Sequence, residues 1–590
     1  MTIIMTTKIE WRTLASEKKA KQLASIPKEW LNQLATNIPP PTELDVTSYP
    51  RACGLLDERE LDITESDVTS LLPRVASGEW TALEVTIAFC KRAVIAQQLT
   101  NCLTEIFFER AFASASALDE YFKRTGKVVG ALHGLPVSLK DQVRIKGLDS
   151  TIGYVSYINI PAERNAVLAD ILESQGAVLF VKTNVPQTLL WPETHNNIFG
   201  RTLNPNNRSL TSGGSSGGEG ALVALKGSPL GVGSDLGGQV TTSILTLVYW
   251  VTDFIRSFRS IRIPSACCGT YGLRPSYGRV PYGGCANSLE GQDSILSVLG
   301  PLSNSIDGLK LFMKAVIDSK PWMQDPLAVR KRWNEEEYQL ADHGGGQELC
   351  FAVLWDDGVT VPDPPILRGL EMTKKALLAA GHKVIDWTPL KHAEIYDCIL
   401  AIGNAGAAED CSVVVAVSGE PLIETMLPNA LESETAFKPS SGTSVSAYQL
   451  WQVQKERRTL REEYLRHWQD TVAVTGTGRP VDAILCPIAS SAAPPHGTTK
   501  NTNYTMIWNA LDYAALAIPV SKVDQKLDVK RERKTFYNST DQSQYEDYNP
   551  ATFANAPIAI QVVGRTLEEE AVLGMSEIVD SALKTRRAKL

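Results

Sequence analysis

The chain has 590 residues, with 58 Lys and Arg against 66 Asp and Glu, a net charge of −8. Its 43% apolar and 21% charged residues exclude a disordered or fibrous chain, and the acidic balance excludes a general nucleic-acid binder, which needs a basic face to displace counterions. At about 100–200 residues per domain, this length allows three or four domains or one large α/β domain.

In chain order, Met1 to Glu10 carries no basic run followed by a long apolar one, so no secretory signal is read and a soluble, cytoplasmic protein is expected. Glu10 to Trp30, rich in Ala, Lys and Leu, predicts a peripheral helix that Pro39-Pro40-Pro41 ends. Residues 1–62 are read as an N-terminal helical arm and 63–590 as one domain. Thr81 to Gln98 has apolar residues at helical spacing, with Thr81 as N-cap. Val128 to Leu139 predicts short strands. Ala177 to Val181, Val384 to Trp387, Ala483 to Pro487 and Ile558 to Val563 predict core strands, with helices at Leu370 to Ala380 and Leu450 to His467 between them. Strands alternating with helices indicate an α/β fold. Val523 to Tyr548 is polar and predicts an exposed excursion. The longest apolar-rich stretch found, Ser243 to Val251, is about half the roughly 20 residues that cross a bilayer, so no membrane partner is expected.

The ten cysteines include no CxxC and read as buried thiols; the seven histidines show no ligand spacing and read as surface or structural residues. No metal or cofactor is expected.

Three segments carry chemistry. Ser209 to Gly220, SLTSGGSSGGEG, has glycines that let backbone N–H groups approach a ligand, though a flexible linker has the same composition. Gly213 to Gly217 matches G-x-S-x-G, the nucleophile elbow of Ser-His-Asp hydrolases, but no strand is read before it. In Gly134 to Asp141, GLPVSLKD, Lys140 ends an apolar strand. A surface lysine is the ordinary reading; a buried one would lose its charge and serve as the base that a serine nucleophile needs. The third segment is split between GVGSDLGG (231–238) and SIRIPS (260–265).

With these residues, and with VKTNVPQTL (181–189), YGLRPSYGR (271–279), PPILRGLE (364–371) and IAIQVVGR (558–565), the sequence resembles the amidase signature hydrolases, fungal acetamidases above all, over nearly its whole length. The resemblance implies a central mixed, twisted sheet covered by helices, with residues 63–590 as the catalytic domain. It implies amide hydrolysis by a Ser-Ser-Lys triad. Lys140 matches the base, Ser215 the bridging serine on a cis peptide bond, and Ser260 the nucleophile. Leu236, Gly237 and Gly238 match the oxyanion donors, Leu189 lines the acyl side, and Ser216, Asp235 and Arg262 orient the loops. The partner implied is a small-molecule amide; a homodimer is compatible with the resemblance.

The chain departs from the family at one place. Gln239 follows Gly238 where the nucleophile is expected, and Ser-Ile-Arg-Ile-Pro begins only at Ser260. Residues 239–259 read as an anomalous insertion of 21 residues, or 63 nucleotides, a whole number of codons that suggests a retained intron. The alternatives are a homologue impaired by this insertion, a Ser-His-Asp hydrolase using Ser215, and a non-catalytic amide-binding protein.

Overall fold

The computed structural model describes residues 10–235, 261–426, 445–499 and 503–588. Its strands are β1 (Leu103–Ile106), β2 (Pro136–Lys140), β3 (Val178–Thr183), β4 (His195–Asn196), β5 (Gly200–Arg201), β6 (Leu230–Asp235), β7 (Tyr271–Arg274), β8 (Val298–Ser303), β9 (Cys350–Val353), β10 (Lys383–Asp386), β11 (Ala483–Pro487), β12 (Ala515–Lys522) and β13 (Pro557–Val563). β4 and β5 form a separate hairpin. The other strands make one mixed sheet in the order β1-β3-β2-β6-β8-β7-β12-β13-β11-β9-β10, in which β3, β2 and β6 run parallel. This is the α/β architecture that the sequence implies.

The helices that frame the site are α1 (Trp11–Ala24), α2 (Lys28–Ala35), α3 (Tyr49–Ala52), α4 (Glu58–Glu65), α5 (Val68–Ala76), α6 (Ala82–Thr100), α7 (Phe108–Thr125), α8 (Val167–Ser174), α9 (Gly217–Ala224) and α10 (Arg262–Cys268). Thr81 caps α6 as expected, and Glu84 returns a bond to the Thr81 N–H at 2.9 Å. Every residue of β2 and β3 is buried, because helices cover both faces. Val137, Leu139 and Leu179 pack with α5 and α8 on one face; Val178 and Phe180 pack with α6, α7 and α9 on the other. Strand alternation therefore turns Ser138 and Lys140 toward α9.

Several local expectations need correction. The single helix over Glu10 to Trp30 is two helices, because Pro27 lacks the N–H that would continue the first. α1 is not peripheral, since Lys18 and Gln22 are buried. Of Val128 to Leu139 only Pro136 onward is strand; the chain before it turns at Gly134, whose φ is +76°. β10 is a half-buried edge strand rather than a core one. The polar excursion 523–548 is anchored, with Asp528 and Asp541 buried against Arg368 and Arg533. Ser243 to Val251 lies outside the described residues; among the described residues the helical run His392–Ser418, which the sequence reading passed over, is long and apolar enough to cross a membrane by length and composition only. All ten cysteines are buried free thiols.

Candidate active site

The site lies at the carboxyl ends of the parallel strands β2 and β6, where open α/β sheets bind ligands. Lys140, the last residue of β2, is wholly buried, and its Nζ lies 2.7 Å from Ser215 Oγ and 2.8 Å from Ser234 Oγ. Burial holds its amine well below the usual lysine range, against the opposing carboxylates of Asp235, Glu219 and Asp141. The sequence-level choice between a surface and a buried lysine thus resolves to the buried one.

Ser215 and Ser216 precede α9, and the Gly214–Ser215 peptide is cis. The glycines there are required by contact rather than by flexibility. A Cβ on Gly214 would stand 2.5 Å from the Trp191 carbonyl oxygen, and one on Gly218 2.4 Å from the Asn184 nitrogen. The flexible-linker reading of this segment fails for that reason. Ser216 Oγ accepts from the Ser234 N–H at 3.2 Å, tying the turn to β6.

Ser234 is a contact the sequence reading missed. Its hydroxyl donates to Gln142 Oε1 at 2.6 Å, so its lone pair is left to accept from Lys140. Gln142 in turn donates to the Tyr282 hydroxyl at 2.5 Å and the Ala286 carbonyl at 3.2 Å. Gln142 follows Lys140 by two residues but lies in the turn after β2, so strand alternation offered no signal for it. Glu219 of α9 accepts from Ser138 Oγ at 2.6 Å and Thr183 Oγ1 at 2.9 Å, and burial pushes its carboxyl up to about 8.

Asp235 and Arg262 form a fully buried two-point ion pair, at 3.1 and 3.2 Å. Asn509 donates to Asp235 at 2.7 Å, and Arg262 donates to Gln561 Oε1 at 3.0 Å and the Thr505 carbonyl at 3.1 Å. Burial alone would raise the Asp235 carboxyl; Arg262 and its neighbours outweigh that and hold it low. Leu236, Gly237, Gly238 and Ser260 lie outside the described residues.

Leu189 is buried with Ile152, Tyr154, Val185 and Ala286, at a φ of +61° next to Thr188 at +76°. A cavity of about 30 Å³ lies beside Pro192, Ile263, Cys267 and Ile488. The histidines nearest the motifs do not join the serines. His133 Nδ1 accepts from the Val129 N–H at 3.2 Å, and His195 faces Arg201 and is driven to about 4, first by burial. Residues 204–212 form no strand, so the elbow match at 213–217 lacks the element it requires.

The family model described as Amidase matches residues 84–242 and 259–573, and its interruption falls inside the segment read as an insertion. The chain is 40% identical over 576 residues to an acetamidase of Emericella nidulans, covering 97% of this chain and 98% of that one. It is 38% identical over 574 residues to an acetamidase of Aspergillus oryzae, covering 97% and 99%. Among solved structures it is similar to a fatty acid amide hydrolase, with a TM-score of 0.83 and 31% identity over 98% of this chain and 95% of that one. With a buried lysine and paired serines at the strand ends of such a sheet, the chain belongs to the amidase signature family and is an amide hydrolase.

Proposed function

We propose that the protein hydrolyses a small monocarboxylic acid amide to carboxylate and ammonia through Lys140, Ser215 and Ser260. Neutral Lys140 takes the Ser215 hydroxyl proton as Ser215 takes that of Ser260. Ser260 Oγ bonds to the amide carbon, and the oxyanion is held by backbone N–H groups at Leu236 to Gly238, usually the largest electrostatic contribution in such sites. The C–N bond breaks, the proton returns through Ser215 to the leaving nitrogen, and ammonia departs. Water then attacks the acyl-enzyme by the same relay and frees the carboxylate.

The observation that carries this reading is the 2.7 Å approach of a wholly buried lysine nitrogen to Ser215 Oγ. A charged lysine would be costly there, and a neutral one is a base. The small-substrate part is supported by similarity to two proteins called acetamidases.

Ammonia release from acetamide and from a long-chain amide, with Lys140→Ala alongside, tests the reading. We expect acetamide to be preferred and Lys140→Ala to lose at least ~100-fold in kcat while still folding. Retention of a tenth of the activity would reject the base assignment. A fluorophosphonate adduct on Ser215 rather than Ser260 would reject the nucleophile. A second reading, a catalytically impaired homologue, is favoured by the interruption of the family match between 242 and 259.

A further inference from the structure

The N-terminal helix α1 precedes the part of the chain that the family model matches, yet it sends a charge into the protein. Lys18 keeps 4% of its side chain exposed. Its Nζ pairs with Asp149 Oδ2 at 2.7 Å and with Glu105 of β1. Gln22, one turn on, donates to the carbonyls of Leu103 at 2.7 Å and Thr104 at 3.1 Å. The contacts continue inward. The Asp149 carbonyl and Ser150 Oγ each accept from Lys182 of β3 at 2.7 Å, and Lys182 Nζ stands 3.7 Å from Asp141 Oδ1. Asp141 adjoins Lys140 in sequence and is fixed by Thr104 Oγ1 at 2.8 Å and the Ile152 N–H at 2.7 Å.

This buried cluster holds two cations, Lys18 and Lys182, and three carboxyl groups, Glu105, Asp141 and Asp149. We propose that Lys18 is a positioning residue for catalysis: through Asp149, Lys182 and Asp141 it sets the charge balance around Lys140, so the arm is an electrostatic part of the active site. The inference rests on Lys140 being the base. The charged and titratable groups that surround Lys140 among the described residues are Asp141 beside it on β2, Glu219 on α9, Asp235 on β6 with its partner Arg262 on α10, and Lys182 on β3. Lys182 reaches α1 through Asp149, whose carbonyl it bonds and whose carboxylate pairs with Lys18. Asp141, reached through Lys182, is the link to the arm.

The sign follows from charge. Without Lys18 the cluster carries excess negative charge, the Lys140 ammonium is stabilised, and a higher pH is needed to free the amine. The test is the pH profile of kcat for Lys18→Met, Glu105→Gln and the double variant, with Lys140→Ala in parallel. For Lys18→Met the half-maximal pH rises, by on the order of one unit if the unpaired charge acts over roughly 10 Å at an effective dielectric near 20. Below the wild-type midpoint, kcat is then down about tenfold, with KM within about twofold. Glu105→Gln moves the midpoint down, and the double variant restores it.

A merely structural Lys18 would leave the midpoint in place and make the double variant at least as impaired as the single; either result overturns the proposal. If Lys18→Met does not fold, Glu105→Gln alone decides, and an unmoved midpoint overturns it. An active Lys140→Ala would instead overturn the base assignment, which separates that failure from this one.

Discussion

Ser234→Ala tests whether the lysine's second serine neighbour matters to the chemistry. The hydroxyl accepts from Lys140 Nζ at 2.8 Å and donates to Gln142 Oε1 at 2.6 Å. In the proposed mechanism the first bond is made, in the resting state, by a neutral amine. When Lys140 takes the proton from Ser215 the same bond becomes charge-assisted, and such bonds are about twice as strong, roughly 1.5–3 against about 1 kcal/mol. The difference of about 1–2 kcal/mol exists only in the transition state, so it is lost from kcat and not from KM. At ~1.4 kcal/mol per tenfold, kcat falls about 5- to 30-fold. Stability also falls, by about 1–3 kcal/mol, because Gln142 Oε1 loses its donor inside the protein. Steady-state ammonia release at saturating amide, with thermal unfolding followed by circular dichroism, measures both. A kcat within twofold of wild type, in a protein that shows the stability loss, would refute the claim that Ser234 stabilises the protonated base.

Other expectations can be checked with the same assays. His133→Ala and His195→Ala keep kcat within about threefold, where a Ser-His-Asp enzyme loses on the order of 10⁴-fold; a folded but dead variant at either position would reinstate that mechanism. Glu219→Gln changes how stability depends on pH. Glu219 titrates near 4.5 when unfolded and at about 8 when folded, so the native state binds the extra proton between those values, and stability falls as pH rises through that window. The variant flattens this slope, and melting curves from pH 5 to 8 that keep the wild-type slope would contradict the assignment. Deleting residues 239–259 gives a more soluble and far more active amidase than the 590-residue chain; equal ammonia release from the two would make the insertion a tolerated loop.

The sequence was most informative where chemistry is concentrated in a few contiguous residues. GLPVSLKD carries its own strand, and the burial of Val137 and Leu139 on one face fixes which way Lys140 turns. The glycines of 213–220 were legible as a close approach, although not what they approach, since Asn184 and Trp191 come from other loops. Asn509 and Gln561 were invisible because they reach Asp235 and Arg262 from more than 240 residues away. Ser234 looked like any small residue in a glycine-rich strand. Lys18 fell in a helix read as peripheral, because its partners Glu105 and Asp149 are brought to it only by the fold. The Val128 stretch misled for the opposite reason: its apolar residues suit a strand, but Gly130 and Gly134 turn the chain.

The position of the insertion follows from the same contacts. Asp235 and Arg262 are clasped by two bonds, and the Ile261 N–H reaches Asp235 Oδ2 at 3.4 Å, so the chain leaves β6 and enters α10 at one place. Four residues, Leu236, Gly237, Gly238 and Ser260, would close that gap if 239–259 were absent. With them present the gap is spanned by 25 residues, and the added closure entropy is only about 1.6 kcal/mol at ~0.6 per doubling of length. Breaking the clasp by removing one partner would cost more, about 3–5 kcal/mol, because the other charge would stay buried and unpaired. The fold therefore tolerates the longer connection. On the proposed assignment, catalysis is expected not to share that tolerance: a shift of roughly 1 Å between donors and nucleophile can cost about 100-fold, and the insertion removes the covalent link that would hold Gly238 next to Ser260. The ion pair fixes the two ends of the connection, and only a short chain between them would carry that order to the reacting atoms.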